Sequence, residues 1–170
     1  MTAEPRRSRQ KLAQYLPTPD LTSAPFSADS ERLILGALLS GEAPWEEAKA
    51  LTEEEFFLAS HKRIFAYLRS RLQRAVPVDL LLAIQAFTRT KELESIGGPA
   101  YLASLNEGIP RNCSIGAHVR LLKDYAVLRK IHAAAYAALA ACSLGEEPPV
   151  VIAALREALD ACAADPSDGQ

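Results

Sequence analysis

The chain is poor in β-branched residues: Val, Ile and Thr together number 20 of 170, against 54 for Ala and Leu. That imbalance argues against a sheet, because small and unbranched side chains lose little rotamer freedom in a helix and β-branched ones lose more. Cysteine is scarce as well. Cys113, Cys142 and Cys162 are odd in number and widely spaced, which excludes a disulfide framework. No apolar run approaches the roughly 20 residues of a membrane span. Arg6, Arg7 and Arg9 are not followed by an apolar segment of signal-peptide type. Net charge is only −2, so charge in sum points to neither a nucleic-acid coat nor a membrane binder. What is present in quantity is apolar residue, 49% of the chain, enough for a real core. These features predict a soluble, cytoplasmic, all-α protein.

Charge is more informative by segment. Residues 1–25 carry +2, residues 26–110 carry −3, residues 111–143 carry +4 and residues 144–170 carry −5. A basic stretch followed directly by an acidic one suits two neighbouring helices of a hairpin. Residues 1–25 hold four prolines and no sustained period, the pattern of a disordered arm. A helical globule is expected over 26–110. Ser27 or Asp29 caps its first helix, which places Leu33, Ile34, Ala37 and Leu38 on one face and stops at Gly41. Pro44 opens a short helix, and Thr52 with Glu55 forms a capping box. Helices follow from Ser60 to Arg74 and, capped by Asp79, over 80–90. The second of these buries some combination of Leu80, Leu81, Ile84 and Phe87. Gly97-Gly98-Pro99 starts another helix, with Tyr101, Leu102 and Leu105 as its apolar residues.

The pattern changes after Pro110. Ser114 is placed to cap one long helix from about Ile115 to Ser143, whose apolar residues cover too much of the circumference for a single buried side. Seven of the ten residues from Ala133 to Cys142 are alanine, small enough to admit another helix closely. Residues 144–149 form a turn, and a second helix follows to about Ala163. The expected architecture is therefore a compact multi-helix globule followed by a protruding antiparallel helical hairpin over 111–165, with a tail at 166–170. Apolar residues on several faces of the hairpin imply self-association. Leu121, Leu128, Ile131, Ala135, Leu139 and Leu155 are the expected interface residues.

Candidate chemistry is thin. No Gly-Lys-Ser/Thr ending follows any glycine pair, so no nucleotide-binding loop is present. His61, His118 and His132 are too scattered for a local metal motif, and His61 reads as a core-rim residue. Gly97-Gly98 is explained as a turn, and Glu53–Glu55 as first-turn residues that complement the helix dipole. Cys142 and Cys162 fall too far apart on folded-back helices to bridge. The helices at 60–74 and 80–90 have a helix-turn-helix look, but the second is not basic enough to read DNA. Arg111, Arg120, Lys123, Arg129 and Lys130 make a better basic strip, and they support an alternative reading as a small DNA-binding regulator.

Several spaced motifs carry a resemblance. Glu31-x-x-x-Leu35-Gly36-x-Leu38-Leu39 is followed by Leu51-Thr52-x-Glu54-x-Phe56-Phe57-x-x-x-His61-x-x-Ile64-Phe65. Pro77-Val78-Asp79, Leu93-x-x-x-Gly97-Gly98-x-x-Tyr101-Leu102, Pro110 and Leu128-Arg129 complete the order. Over residues 26–143 this resembles the N-terminal domain of bacterial replicative DNA helicases, the DnaB family. The resemblance implies a non-catalytic domain whose hairpins pair into a collar above a ring of motor domains. It also implies docking of primase and, in some lineages, of a helicase loader, with DNA contact indirect or weak. No cofactor is expected in this chain, since ATP and magnesium would belong to the motor domain.

Overall fold

Ser27 ends the extended entry to the first helix. Its hydroxyl accepts from the Ser30 amide, and the helix α1 (Ala28–Ser40) runs to Gly41, whose φ of +73° is the left-handed stop that glycine adopts without strain. A computed structural model of the chain describes residues 24–163. The expectations for an arm over 1–25 and a tail over 166–170 therefore lie almost wholly outside the described residues. Within them every regular element is helical. After α1 come α2 (Trp45–Ala48), a 3-10 turn at Glu53–Glu55, and α3 (Ala59–Leu72). Next are α4 (Leu80–Thr90), a 3-10 turn at Glu94–Ile96, and α5 (Gly98–Leu105). The last two helices are α6 (Gly116–Ser143) and α7 (Pro148–Ala163). Packing divides the chain into two compact units: one is Phe26–Ala126, and the other contains residues 127–163.

In the first unit α1 is the central element. The spacing predicted one buried face, yet Ile34, Leu35, Ala37, Leu38 and Leu39 are all buried, as is Gly36 between them. A helix covered on most of its circumference needs neighbours on several sides, and α3 and α5 supply them. Phe56, Phe65, Leu68, Ile96, Leu102 and Leu105 close the core around it. Gly36 is where α1 meets the end of α5. A Cβ built there would lie 2.0 Å from the Leu105 carbonyl oxygen, so no other residue fits without moving backbone.

The predicted capping box is present: the Thr52 hydroxyl accepts from the Glu54 amide, and the Glu55 carboxylate accepts from the Thr52 amide at 2.6 Å. Asp79 caps α4 by accepting from the Leu82 amide at 2.8 Å. Pro44 stands just before α2 instead of in its first turn. On α4, Ala83 and Phe87 are the buried residues, whereas Leu81 is 63% exposed. The cap of α6 differs from expectation. The Ser114 side chain does not cap the helix; its hydroxyl donates to Glu47, whose Oε2 also accepts from the Ile115 amide at 2.8 Å and the Gly116 amide at 2.9 Å. A full carboxylate at a helix N-terminus meets the free amides and the positive end of the dipole together, so it displaces the local hydroxyl.

The second unit contains most of α6 and all of α7. The α7 helix folds back along α6, and the two line a groove of about 110 Å³ whose walls are mainly alanine, from Ala134 and Ala138 on one side to Ala154 and Ala158 on the other. The alanine run thus leaves a slot between the helices, where the sequence suggested close approach.

Candidate docking surfaces

Glu31, His61 and Tyr101 form the most site-like cluster of the first unit. Glu31 stands one turn before Ile34 and Leu35 on α1, so the face that buries those residues buries the carboxylate with them. Its Oε1 accepts from the Phe57 amide at 2.6 Å, and its Oε2 accepts from the Leu58 amide at 3.4 Å and pairs with His61 Nδ1 at 2.6 Å. The other ring nitrogen of His61 bonds the Tyr101 hydroxyl. The Glu31 carboxylate can only accept, so Nδ1–H of His61 donates to it, and Nε2 faces the Tyr101 hydroxyl. Carboxylate, imidazole and hydroxyl in series is an arrangement that can activate a nucleophile. Here it is sealed, since His61 is 0% and Glu31 1% exposed. The cluster ties α1, α3 and α5 together and satisfies two amides at the entrance to α3, where Leu58 offers no side-chain cap. His61 is thus deeper than the core rim. The missed signal was Glu31 itself, a charge in phase with an apolar face.

Of the interface residues read from sequence, Leu128, Ile131 and Leu139 are exposed at 48%, 38% and 55%. Ala135 is exposed with them. Leu155 is half-buried and lines the alanine slot. Leu121 is half-buried and belongs to the first unit. Sequence reasoning missed Val150, Ile152 and Leu159 on α7, all of them exposed. Ile152 and Leu159, seven residues apart, share one stripe of α7, and Val150 stands on the opposite side. Among the described residues, six of the eight exposed large apolar residues therefore lie in residues 127–163. No residue of α7 is buried.

Among the described residues no group of His, Cys, Asp and Glu is placed to hold a metal ion, and no helix is long and apolar enough to cross a membrane. The cysteines are unbridged.

Residues 23–124 match the family model described as the DnaB-like helicase N terminal domain. The chain belongs to this family. The match spans the first unit almost end to end, and it places the Glu31 network and the Gly36 crossing inside the family's domain. Among curated relatives, the chain is 30% identical over 112 residues to the replicative DNA helicase DnaB of Buchnera aphidicola, covering 65% of this chain and 24% of that one. It is 34% identical over 109 residues to the replicative DNA helicase DnaB of Pasteurella multocida, covering 63% and 23%. The chain thus matches about a quarter of the length of these helicases. The crystal structure of the N-terminal domain of DnaB helicase from Mycobacterium tuberculosis shares the fold, with a TM-score of 0.70 at 20% identity, over 82% of this chain and 99% of that one. The match lies in the part of the family described as its N-terminal domain.

Proposed function

We propose that this DnaB-like domain is the assembly and partner-docking module of a replicative DNA helicase, acting in the cytoplasm. Its hairpin pairs with that of a second copy and contributes to a ring collar, and the domain recruits primase or a loader. One observation carries the pairing: the large apolar residues that the fold leaves in water are concentrated in residues 127–163. A water-exposed set of this kind marks an interaction surface. The slot between α6 and α7 supports the same reading, because a hole walled by alanine accepts a side chain from a facing helix. The rival reading, a DNA-binding strip over 111–130, is not favoured: Arg129 donates to the Pro25 carbonyl at 3.1 Å, and Lys123 is half-buried.

Light scattering across a range of concentrations tests the proposal. The chain is expected to associate reversibly, and Leu128→Asp with Leu139→Asp to return it to monomer mass at unchanged helical content. An unchanged mass in that double variant overturns the pairing.

A further inference from the structure

The charge of the first unit is unevenly placed. Residues 59–91, which form α3, α4 and their connection, hold seven basic side chains and one acidic, Asp79, although the whole chain is net acidic. Arg69 pairs with Glu53 at 3.0 Å and Lys62 with Glu54 at 3.5 Å. Among the described residues, Arg63, Arg71, Arg74, Arg89 and Lys91 have no carboxylate within ion-pairing distance. Like charges gathered on one face repel, and a fold tolerates them at low cost only in solvent or against a partner of opposite sign.

The same face carries two adjoining grooves that share Ala86. One, of about 480 Å³, runs past Leu82, Ile84 and Gln85 with Arg71 and Arg89 at its edges. The other, of about 250 Å³, has Ala66, Tyr67 and Phe87 for its walls and floor and Arg63 at its rim. Arg71 is held in place: its guanidinium donates twice to the Pro77 carbonyl, at 3.3 and 3.2 Å, and lies 5.7 Å from the centre of the Tyr67 ring. A positioned guanidinium loses less freedom on binding than a mobile one. Leu81 adds an apolar residue that is 63% exposed.

We propose that the α3–α4 face is a docking surface for an acidic amphipathic protein segment. Apolar side chains of the segment enter the two grooves. Glu92 stands in the second groove and repels any anionic group, so the carboxylates of the segment meet Arg71 and Arg89 at the first groove, whose lining holds no acidic residue. The lining selects protein over nucleic acid. The Tyr67 ring lies against Phe87 at 5.3 Å and under Arg71, which leaves no open aromatic plane for a base to stack on. Helix-in-groove binding needs apolar walls with a charged rim, and that is what α3 and α4 present. The proposal deepens the docking half of the function proposed above and is independent of the hairpin.

Fluorescence anisotropy with the full chain tests it, using a labelled helical peptide built from Glu-Leu-Glu-Glu-Leu-Leu-Glu repeats. The acidic peptide is expected to bind, its Lys-for-Glu counterpart not to bind, and Arg71→Glu with Arg89→Glu to weaken binding by about tenfold or more. Arg89→Glu alone changes an exposed residue and keeps the fold, and it is expected to weaken binding severalfold. Absence of acidic-peptide binding, equal affinity in the variants, or tighter binding of a labelled oligothymidine than of the peptide overturns the proposal. A fall in light-scattering mass in the Arg71→Glu, Arg89→Glu variant also overturns it, because the occupant of the face would then be a second copy. Failure of the peptide arm with self-association intact leaves the hairpin reading standing.

Discussion

Leucine does opposite things in the two units. In residues 26–126, Leu35, Leu39, Leu51, Leu68, Leu102 and Leu105 are almost fully buried, while in residues 127–163 Leu128, Leu139 and Leu159 stand in water. The difference comes from what surrounds them. Around α1, large residues face large residues, and each side chain removed from water adds about 1.5–3 kcal/mol. Along α6 and α7 the facing residues are alanines, which have little area to bury. A helix pair of that composition holds a shape but leaves its large residues over, and those residues are then free to act between molecules. The large apolar residues thus go mostly into the core in the first unit and stay mostly exposed in the second.

The strongest way to break this division is at Glu31. Glu31→Ala leaves His61 and the Phe57 and Leu58 amides buried without their acceptor, and it opens a void beside Ile34. The expected loss is about 3–5 kcal/mol of global stability, read from urea or thermal unfolding. If the division holds, Leu128→Asp with Leu139→Asp has the reverse profile, with association lost and the unfolding midpoint nearly unchanged. A Glu31→Ala protein that melts like the parent would show that the network is incidental to the core.

Glu47 sharpens the comparison at the helix that both units share. Glu47→Ala removes the acceptor for the Ile115 and Gly116 amides, and loss of a cap costs about 0.5–2 kcal/mol. Hydrogen exchange at the start of α6 is expected to speed up, with the amides of α3 unaffected. Glu47→Gln keeps one acceptor oxygen and should recover part of the protection. Equal exchange in Glu47→Ala and the parent would mean that α6 begins as firmly without its cap.

The two glutamates also explain what could be read in the sequence and what could not. Caps supplied by neighbours were legible: Ser27, Thr52 with Glu55, Asp79 and the Gly41 stop lie within four residues of the amides or carbonyls they serve. Element order and the long terminal helices were legible for the same reason, since composition and period are local. Glu31 and Glu47 serve amides 26 and 68 residues away, and nothing short of the tertiary fold places them. The exposed faces were half legible. Alanine content marked α6, but which leucines stay in water depends on where each helix meets its neighbours. The grooves of the α3–α4 face were not legible, because they exist only once side chains of α3 and α4 have come together.

The smallest expected effect is at Tyr67, and it tests how finely the first unit is tuned. Its hydroxyl is buried with no hydrogen-bond partner among the described residues. Burial pushes its pKa above the usual 10.0; Arg71 opposes that rise and Asp79 adds to it. A pKa raised by folding means that the folded state holds the phenol proton more tightly than the unfolded chain does. That contribution to stability is complete below the unfolded value and is lost as pH climbs through the folded one. Tyr67→Phe deletes both the orphan hydroxyl and its titration. Near pH 7 its stability is expected to match or exceed the parent's by up to about 1 kcal/mol. Above pH 10 the parent should fall away from the variant, so the gap between their unfolding midpoints widens with pH. A parallel pair of pH–stability curves would mean that Tyr67 ionises as freely in the fold as in the unfolded chain, with its hydroxyl reaching water after all.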